Sequence, residues 1–414
     1  MPIYVISTKV LPLMPTTEKK AKSLLINNKA KVIDKQVFTI QLLYPTTEYI
    51  QYLEHKVDTG SGKIGSAVAD PKGNIYYVSE VEIRNDISKK MKQRSKYRRN
   101  RRNRKTRYRQ PRWLNRGNSI RKDRFSPTMT SKINSHIKEI EFVKSTLPIS
   151  QLILETGTFD PHALKNPNVL RNKKLYQKGT NYGFANTKAF VLDRDNHICQ
   201  HCSGKSKDFK LEVHHIIFRT NGGSDEPENL IILCKTCHDG FHHGSIVLKL
   251  EGKRKGNLNH ATQMNSIRVQ LLKYYPNAIE SFGYITKENR QQYTDQKEHY
   301  LDAVFIENNI KPVFKTNIVI VKKCVSDGDY QQTKGVRSQQ EISTCKIQGF
   351  RKNDKVKYLG NIYFIKGKMK TGYAILGNIY GDNIDLKPIP KFNKMKRLNA
   401  RKSWIISQKT VQNI

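Results

Sequence analysis

The chain has 414 residues, enough for two to four domains of about 100–200 residues each. Its 75 Lys and Arg residues outnumber 35 Asp and Glu residues, so the formal net charge of +40 predicts a large polyanionic partner. No run approaches the ~18 apolar residues of a membrane-spanning helix, which excludes an integral membrane protein. The apolar N-terminal segment lacks the preceding basic stretch of a secretory signal. We therefore expect a soluble, intracellular protein that associates with nucleic acid.

The first half of the chain alternates strand-like and helical segments. Strands are predicted within residues 55–83, where short apolar runs are separated by a Pro-Lys-Gly-Asn turn. After a long basic segment, apolar residues at helical spacing predict a helix over residues 131–146, and residues 151–154 predict a short buried strand. Separated strands and helices of this kind indicate an α/β core assembled from several pieces. Short β-like runs with Gly turns from about residue 315 to 414 indicate a small β-barrel or barrel-like module.

The basic segment covers residues 89–124, where 18 of 36 residues are Lys or Arg and Asp123 is the only acid. Neither Gly nor Pro occurs from Arg94 until Pro111, so the segment predicts one long helix ending near Gln110. Such a helix has cations all around it and becomes stable only when phosphates neutralise them. A disordered basic tail or a localisation signal is the alternative. Interleaved aromatic residues and the position between two strand-like segments favour the helix.

Two Cys-x-x-Cys pairs, 31 residues apart, lie in a compact segment over residues 186–243. Four thiolates satisfy tetrahedral zinc, whereas a single pair would more often be a redox site, so we predict a structural zinc. The predicted ligands are Cys199, Cys202, Cys234 and Cys237. Cys324 and Cys345 have no matching partners and are predicted to be free thiols. Cysteines used in this way are typical of a reducing compartment.

Histidines lie between and after these cysteines. His214 and His215 end a strand-like run, Asn229 follows 14 residues later, and His238 and His242 share a helix face. This pattern resembles the HNH nuclease motif, a ββα fold around one divalent metal, over residues 197–243. The resemblance implies that His215 is the general base, that Asn229 orients it, and that His214, His238 and His242 bind the metal. A zinc module that binds nucleic acid without cutting it is the alternative.

A second set of candidate residues contains carboxylates at strand ends. Asp58 precedes Thr-Gly-Ser, Glu155 ends a short strand, and His299 and Asp302 form a His-x-x-Asp pair. Carboxylates so placed can hold two divalent ions for phosphodiester hydrolysis, although singly they are also typical of turns and solvated strand ends. Together they resemble the three motifs of the RuvC nucleases, which have an RNase H-like fold. The resemblance implies that Asp58, Glu155 and Asp302 bind the RuvC ions and that His299 faces them.

The order of these motifs resembles the IscB family of transposon-encoded, RNA-guided nucleases, relatives of the type II CRISPR effectors. The residues Pro12-Leu-Met-Pro15 match the motif that names the PLMP domain of that family. The chain departs from the family at Lys56, where a glycine usually precedes the first Asp by two residues. The basic segment resembles the family's bridge helix, which implies RNA contacts by a set of arginines: Arg94, Arg98, Arg99, Arg101, Arg102, Arg104, Arg107 and Arg109.

The resemblance implies an α/β fold with an RNase H-like RuvC core in three segments, an inserted HNH ββα-metal domain, a basic bridge helix and a C-terminal β-barrel-like module. The predicted bounds are a PLMP domain at 1–54, RuvC segments at 55–88, 126–185 and 251–314, the bridge helix at 89–125, the HNH domain at 186–250 and the C-terminal module at 315–414.

The implied function is RNA-guided cleavage of double-stranded DNA beside a short flanking motif, with one protein per guide RNA. The HNH site would cut the guide-paired strand and the RuvC site the displaced strand, using Mg²⁺ or Mn²⁺ at both sites beside the structural Zn²⁺. A bacterial cytoplasm, or an organelle such as a plastid, is the expected compartment. The alternatives are a stand-alone HNH endonuclease of homing or restriction type and a non-catalytic nucleic-acid-binding protein.

Overall fold

The computed structural model describes residues 2–103, 125–219, 223–248, 258–326 and 346–411. The chain forms two units: unit 1 contains Met1–Gly157 and Gln263–Ile414, and unit 2 contains Thr158–Thr262. The described strands and helices follow in chain order. They are β1 (Ile3–Ile6), β2 (Pro12–Thr16), α1 (Glu18–Ile26), β3 (Ala30–Asp34), β4 (Thr39–Leu42), β5 (Glu54–Asp58), β6 (Lys63–Ala69), β7 (Asn74–Glu82), α2 (Ile87–Asn103), α3 (Pro127–Thr146), β8 (Gln151–Thr156), α4 (Pro161–Lys165), α5 (Thr187–Arg194), β9 (Leu211–His215), β10 (Leu230–Cys234), α6 (Lys235–His242), α7 (Asn259–Tyr274), β11 (Ile279–Phe282), α8 (Gly283–Gln291), α9 (His299–Phe305), β12 (Val313–Phe314), β13 (Ile318–Cys324), β14 (Lys355–Tyr358), β15 (Asn361–Lys368), β16 (Ala374–Gly377), β17 (Lys396–Asn399) and β18 (Trp404–Thr410).

Unit 1 begins with a small sheet whose strands lie in the order β2-β1-β4-β3. Helix α1 follows β2 in the chain. Thr17 caps α1, and its hydroxyl accepts a hydrogen bond from the Lys20 amide. The sheet buries its own apolar cluster, which includes Val5, Leu13 and Ile40. The predicted N-terminal domain therefore corresponds to a compact α/β element before β5.

A large sheet in the order β11-β8-β5-β6-β7-β13-β18 forms the centre of unit 1, and β12 pairs with β7. Strands β5, β8 and β11 are parallel neighbours, whereas β6 is antiparallel to both β5 and β7. Helices α3 and α7 cover part of this sheet through an apolar cluster that includes Ile140 and Ile267. Parallel neighbours place the ends of β5 and β8 at the same edge of the sheet, where candidate acids lie.

The basic helix predicted to end near Gln110 is observed from Ile87 to Asn103 as α2. The rest of the predicted helix, including Arg104, Arg107 and Arg109, lies outside the described residues. Helix α3 spans the stretch predicted from apolar spacing. Its first turn is fixed by Pro127 at the start and by Ser126, whose hydroxyl accepts a hydrogen bond from the Met129 amide at 3.3 Å.

A buried ion pair joins β13 to α3 and β7. The Lys322 ammonium lies 2.7 Å from the Glu139 carboxylate, and both side chains are fully buried. Tyr77 and Ser79 donate hydrogen bonds to the same carboxylate at 2.9 and 2.7 Å. A buried charge needs such partners because its desolvation costs several kcal/mol or more. The network therefore fixes β13 at this position beside β7.

This position corrects the predicted C-terminal module at 315–414. Strand β13 pairs in parallel with β7 and antiparallel with β18, so both strands belong to the large sheet. Only β14–β17 form a separate antiparallel sheet, in the order β16-β15-β14-β17. Among these described strands, the two outer ones, β16 and β17, do not pair with each other, so the four strands do not close into a barrel. Hydropathy could not show this division because the pairing of β13 with β7 joins residues more than 200 positions apart.

Unit 2 contains an antiparallel β9–β10 hairpin followed by α6, the ββα arrangement expected for the histidine-containing segment. Helix α5 is tied to this hairpin by Arg194, which donates a hydrogen bond to the Leu230 carbonyl at 2.8 Å. Residues 158–185, which the prediction assigned to a RuvC segment, fold with unit 2 instead. No helix among the described residues has both the length and the apolar character needed to cross a membrane.

Candidate functional site

The predicted acids of unit 1 meet at one edge of the large sheet. Asp58 is the last residue of β5 and is the direct parallel partner of Glu155 on β8. Helix α9 brings His299 and Asp302 to the same edge by packing on β6. Gly65 permits this packing, since a Cβ at that position would lie only 1.8 Å from the His299 carbonyl oxygen. Any other residue at position 65 would displace α9 and the two side chains that it carries.

Asp58, His299 and Asp302 form a cluster whose ligand atoms all lie within 4.8 Å of one another. His299 Nδ1 lies 2.7 Å from Asp58 Oδ2. The Glu155 carboxylate accepts a hydrogen bond from the Thr286 hydroxyl on α8 at 2.7 Å. We call Asp58, Glu155, His299 and Asp302 the carboxylate cluster.

The electrostatics of the carboxylate cluster fit a cation site. Burial, with the negative charge of Asp58, raises the pKa of Glu155 to about 7. Burial and Asp58 also raise the pKa of Asp302, whereas the hydrogen bond to Asp58 raises the pKa of His299. Buried carboxylates repel one another unless a cation lies between them. Such an oxygen-rich donor set suits hard ions such as Mg²⁺ and Mn²⁺.

Two further residues contact the carboxylate cluster and were not predicted from the sequence. Thr286 holds Glu155, and the Arg290 Nε atom lies 2.8 Å from Asp302 Oδ1. The Arg290 contact is an ion pair without hydrogen-bond alignment of its N–H. Both residues lie on α8, which carries no motif, and each is more than 130 residues from Asp58 and Glu155 in the chain. Only the folded structure brings them to the acids.

Lys56, which departs from the family pattern, is accommodated without disturbing β5. The strand keeps its register through Lys56, whose partners are Ala67 on β6 and Ile153 on β8. The buried Lys56 ammonium lies 3.2 Å from the Glu54 carboxylate, and burial lowers its pKa. Lys56 therefore pairs with an acid on the side away from Asp58 along the strand.

The predicted histidine ligands of unit 2 also come together. His214 lies on β9, His238 and His242 lie one turn apart on α6, and one ring nitrogen of each lies within 4.8 Å of the others. His238 Nε2 and His242 Nε2 are 3.3 Å apart. Two imidazole nitrogens at this distance are well placed to share an ion. We call these three residues the histidine cluster.

His214 provides the test of whether a metal fits here. Its Nε2 atom is buried and has no hydrogen-bond partner among the described residues. Burial and the neighbouring imidazoles lower the pKa of His214 to about 4, so the ring is neutral at pH 7. The ring packs edge-on against Phe241, with a centroid distance of 4.7 Å. A neutral imidazole with an unsatisfied nitrogen is the form that binds a metal ion.

His215, the predicted general base, has a carboxylate partner that the sequence did not reveal. Its Nε2 atom lies 2.8 Å from Asp225 Oδ1, and Arg219 Nε lies 2.7 Å from the same oxygen. A carboxylate in this position fixes the tautomer and orientation of the ring. With a proton on Nε2, the other ring nitrogen, Nδ1, is the one that can accept a proton.

Asn229 acts on the loop after His215 rather than on the imidazole itself. Its side-chain oxygen accepts a hydrogen bond from the Ile217 amide at 2.9 Å, and its amide group donates to the Ile217 and Ser224 carbonyls. Asn229 thereby joins the two ends of the loop that carries Arg219 and leads to Asp225. Its effect on His215 is therefore exerted through the backbone.

Glu212 is a further residue that sequence analysis missed. Its Oε2 atom lies 3.3 Å from His238 Nδ1, within ion-pair distance but without hydrogen-bond alignment. A carboxylate beside the free nitrogen of a ligand histidine orients the ring for the metal. Glu212 and His214 are two residues apart on β9 and so share one face of the strand. That alternation is a signal from which the sequence could have indicated Glu212.

The four paired cysteines converge as predicted. Their sulfur atoms all lie within 4.8 Å of one another, and Cys199, Cys234 and Cys237 are buried. Hydrogen bonding with Ser206 lowers the pKa of Cys202 to about 6, which favours its thiolate. Four sulfur donors are the ligand set of a structural zinc site. Cys324 forms no disulfide with any described residue, and Cys345 lies outside them.

The described part of α2 carries the first of the predicted RNA-binding arginines. Arg94, Arg98 and Arg99 have exposed side chains. The backbone of Arg101 and Arg102 is helical, as described above for α2. A helix with exposed cations on successive turns is suited to contact a nucleic-acid backbone.

Comparisons with known proteins match two segments of the chain to protein families. Residues 3–179 match the RRXRR protein family, and residues 199–244 match the HNH endonuclease family. The type IV methyl-directed restriction enzyme EcoKMcrA of Escherichia coli (strain K12) is 30% identical over 118 residues, which are 27% of this chain and 40% of that enzyme. The chain thus spans well under half the length of this curated relative.

A solved structure was also compared. The crystal structure of Streptococcus thermophilus Cas9 in complex with the AGAA PAM aligns with 61% of this chain and 32% of that one, at 10% identity. The TM-score is 0.33. The chain joins an RRXRR region to an HNH endonuclease domain.

Proposed function

Since this chain is an IscB-like HNH nuclease related to the type II CRISPR effectors, we propose that it is an RNA-guided endonuclease that makes double-strand breaks in DNA. The observation that carries the proposal is the presence of two separate candidate metal clusters, one of carboxylates in unit 1 and one of histidines in unit 2. Two hydrolytic sites allow one chain to cut both strands of a duplex.

The carboxylate cluster supports assignment of the large sheet as an RNase H-like RuvC core. Its acids lie at the ends of the adjacent parallel strands β5 and β8, and α9 supplies the third motif. In this proposal the core comprises β5–β8, β11, α8 and α9, and it also includes β13 and β18. The sheet formed by β14–β17 is then the part available to contact the flanking motif and the RNA.

The chemistry at the histidine cluster follows from the positions of the chain's own residues. His215 accepts a proton at Nδ1 from the attacking water, while Asp225 holds the Nε2 proton and stabilises the imidazolium that forms. Asn229 fixes the loop that carries this pair. His214, His238 and His242 would hold a divalent ion, which would supply charge stabilisation to the scissile phosphate. The four cysteines would hold Zn²⁺, which would fix the fold around the hairpin.

The guide RNA is the proposed partner of α2. Its exposed arginines bind phosphates, and the net charge of +40 suits a chain that holds both an RNA and a DNA duplex. Pairing between guide and target would supply sequence specificity, with the histidine cluster cutting the guide-paired strand and the carboxylate cluster the displaced strand.

Strand-specific nicking tests this function. The protein is expressed with the DNA that flanks its gene, purified with the RNA that accompanies it, and given a duplex whose strands carry different fluorophores. Asp58→Ala should leave cleavage of the guide-paired strand only, and His215→Ala cleavage of the displaced strand only. The double variant should cut neither strand. A clean double-strand break by either single variant would contradict the assignment of the two sites.

RNase treatment separates the proposal from a stand-alone HNH endonuclease, which the similarity to a restriction enzyme favours. An RNA-guided enzyme loses cleavage when its RNA is digested and recovers it when one defined RNA is added back. Metal-dependent cutting that survives RNase, without a need for Asp58, Glu155 or Asp302, would favour the stand-alone enzyme.

A further inference from the structure

Phe209 is the most exposed of the large apolar side chains in the part of the chain that the structure describes, with 98% of its surface accessible. It lies in unit 2, in the loop that runs from the cysteine site to β9. A phenylalanine gains about 2 kcal/mol or more when its ring is buried, so complete exposure leaves that stabilisation unused. Such a ring is available to a partner.

The backbone on both sides of Phe209 is fixed. The Asp208 carboxylate accepts hydrogen bonds from the Thr236 amide at 2.8 Å and from the Thr236 hydroxyl at 2.9 Å. The Lys210 carbonyl accepts a hydrogen bond from the Lys235 amide at 2.8 Å. Both neighbours of Phe209 are therefore anchored to the first turn of α6. The ring is held outward by an ordered loop, which lowers the entropy that a partner must overcome on binding it.

The surroundings of Phe209 are basic. Lys205 and Lys207 have exposed side chains on the same loop, and the exposed side chains of Lys210 and Lys235 pair with the carboxylates of Glu212 and Asp239. The adjacent acid, Asp208, is engaged by Thr236. Lysines around an exposed aromatic ring are the combination that binds single strands and distorted duplexes: cations contact phosphates and the ring stacks on a base.

Contacts made by residues that follow Phe209 lead to the histidine cluster. Lys210 Nζ lies 3.5 Å from Glu212 Oε1, and Glu212 Oε2 lies 3.3 Å from His238 Nδ1. Phe209 precedes Glu212 by three residues, a distance of about 10 Å in extended backbone. This distance equals about three base steps along one strand.

We propose that Phe209 stacks on a base of the DNA strand that the histidine cluster cuts, within about three nucleotides of the scissile phosphate, while the surrounding lysines bind the flanking phosphates. The inference rests on the proposed function in one respect, that unit 2 cuts DNA. It adds Phe209 as a residue that positions the DNA strand by contacting a base, without involving the metal.

Ring substitutions test the proposal in an Asp58→Ala background, where only the strand assigned to the histidine cluster is cut. Under single-turnover conditions Phe209→Ala should slow cleavage on the order of tenfold. Phe209→Trp and Phe209→Tyr should restore the rate because both side chains can stack, whereas Phe209→Leu should not. Equal rates for Phe, Ala and Leu would overturn the proposal. Restoration by Leu would also overturn it, since any apolar contact would then suffice.

Leu164→Ala is the matched control, because Leu164 is a half-exposed apolar residue elsewhere in the same unit. Its rate should stay unchanged. Zinc content should be equal in all variants, which shows that the loop still folds on the cysteine site.

Photocrosslinking gives a second measurement. With p-benzoylphenylalanine at position 209 and a His215→Ala background that keeps the DNA intact, crosslinks should map within about three nucleotides of the cut. Crosslinks to protein alone would overturn the proposal.

The two proposals fail separately. Cleavage that survives RNase would contradict the guide-RNA proposal, and the Phe209 comparison is then made on RNA-free protein, where a tenfold loss supports stacking and an unchanged rate overturns it.

Discussion

The contact between His215 and Asp225 determines which imidazole nitrogen can act as the proton acceptor. Asp225 contacts Nε2 of the imidazole, so Nδ1 is the nitrogen that can accept a proton. Asp225 itself is largely exposed, and Arg219 shares the same carboxylate oxygen. Because this contact is solvated, its value lies in orientation more than in binding energy.

Asp225→Asn should therefore slow cleavage of the guide-paired strand by about 10- to 100-fold, less than the ~10⁴-fold loss at a buried Ser-His-Asp triad, because this contact is solvated. Cleavage of the displaced strand should be unaffected. The measurement is the single-turnover rate for each labelled strand. Asp193→Asn, which changes an exposed acid of the same unit, is the control. An equal loss on both strands would indicate a general effect on folding or RNA binding.

In unit 1, the buried carboxylate of Glu155 is suited to a cation site but lowers the stability of the metal-free protein. Its pKa of about 7 in the folded chain exceeds the ordinary value of 4.5 because the side chain is buried beside Asp58. Between these two values the folded state binds more protons than the unfolded state. Stability of the metal-free protein therefore falls as pH rises through this window and reaches its lower level above pH 7.

Glu155→Gln should stabilise the metal-free protein at pH 8 by about 1–3 kcal/mol, because it removes the buried negative charge. The gain should shrink towards pH 5, where Glu155 is already protonated in the folded state. Thermal unfolding in a chelator at both pH values measures this effect. Glu288→Gln, a change on the exposed face of α8, should do nothing. A lower melting temperature for Glu155→Gln at pH 8 would contradict burial as the dominant cause.

Helix α2 illustrates an element that has little reason to form alone. Its sequence from Ile87 to Asn103 is dominated by Lys and Arg, and many of its side chains are exposed. Like charges three and four residues apart destabilise a helix in isolation. Phosphates along one side would remove that repulsion, so binding and helix stability should be coupled.

Arg98→Ala combined with Arg99→Ala should weaken RNA binding and flatten its dependence on salt. Each lost phosphate contact lowers the slope of log affinity against log salt by about 0.7–0.9, so the expected change is about one to two. Filter binding at several salt concentrations measures it. Lys19→Ala with Lys20→Ala removes the same charge from the exposed surface of α1 and is the control. An unchanged slope would mean that α2 does not face phosphate.

The elements that sequence analysis located are those with local signals. Strand β5 ends at Asp58, α3 follows its apolar spacing, and the cysteine and histidine motifs converge on their predicted partners. The matched HNH family confirms the nuclease interpretation. The predictions that failed concern strands whose partners are distant in the chain. Strands β13 and β18 join the large sheet through contacts that no hydropathy pattern encodes.

The same reason explains the missed site residues. Thr286 and Arg290 reach the carboxylate cluster only because α8 packs beside α9 and β11, and Asp225 reaches His215 only because a loop folds back. Glu212 differs, since alternation along β9 places it beside His214 on one face. Local periodicity would have been sufficient to indicate Glu212, whereas it is insufficient for the other three residues.

At the scale of the whole molecule, the described residues form three candidate metal sites with different donors. Sulfur atoms form one, imidazole nitrogens form the second, and carboxylates with one imidazole form the third. Donor type selects the ion: thiolates suit Zn²⁺, imidazoles suit transition metals, and carboxylates suit Mg²⁺ and Mn²⁺. The two proposed nuclease sites should therefore differ in the ions that support cleavage.

A metal titration after chelation tests this difference. Mild chelation should remove the ions of both nuclease sites and leave the four-cysteine zinc in place, as metal analysis of the dialysed protein would show. Adding Mg²⁺ should restore cleavage of the displaced strand first, because the carboxylate cluster offers oxygen ligands. Adding Mn²⁺ or Co²⁺ should restore cleavage of the guide-paired strand at lower concentration than Mg²⁺ does, because the histidine cluster offers only nitrogen. His242→Asp introduces an oxygen ligand and should shift that preference towards Mg²⁺, whereas the displaced strand should keep its profile. Identical metal profiles for both strands in the unaltered protein would show that these two donor sets do not hold the catalytic ions.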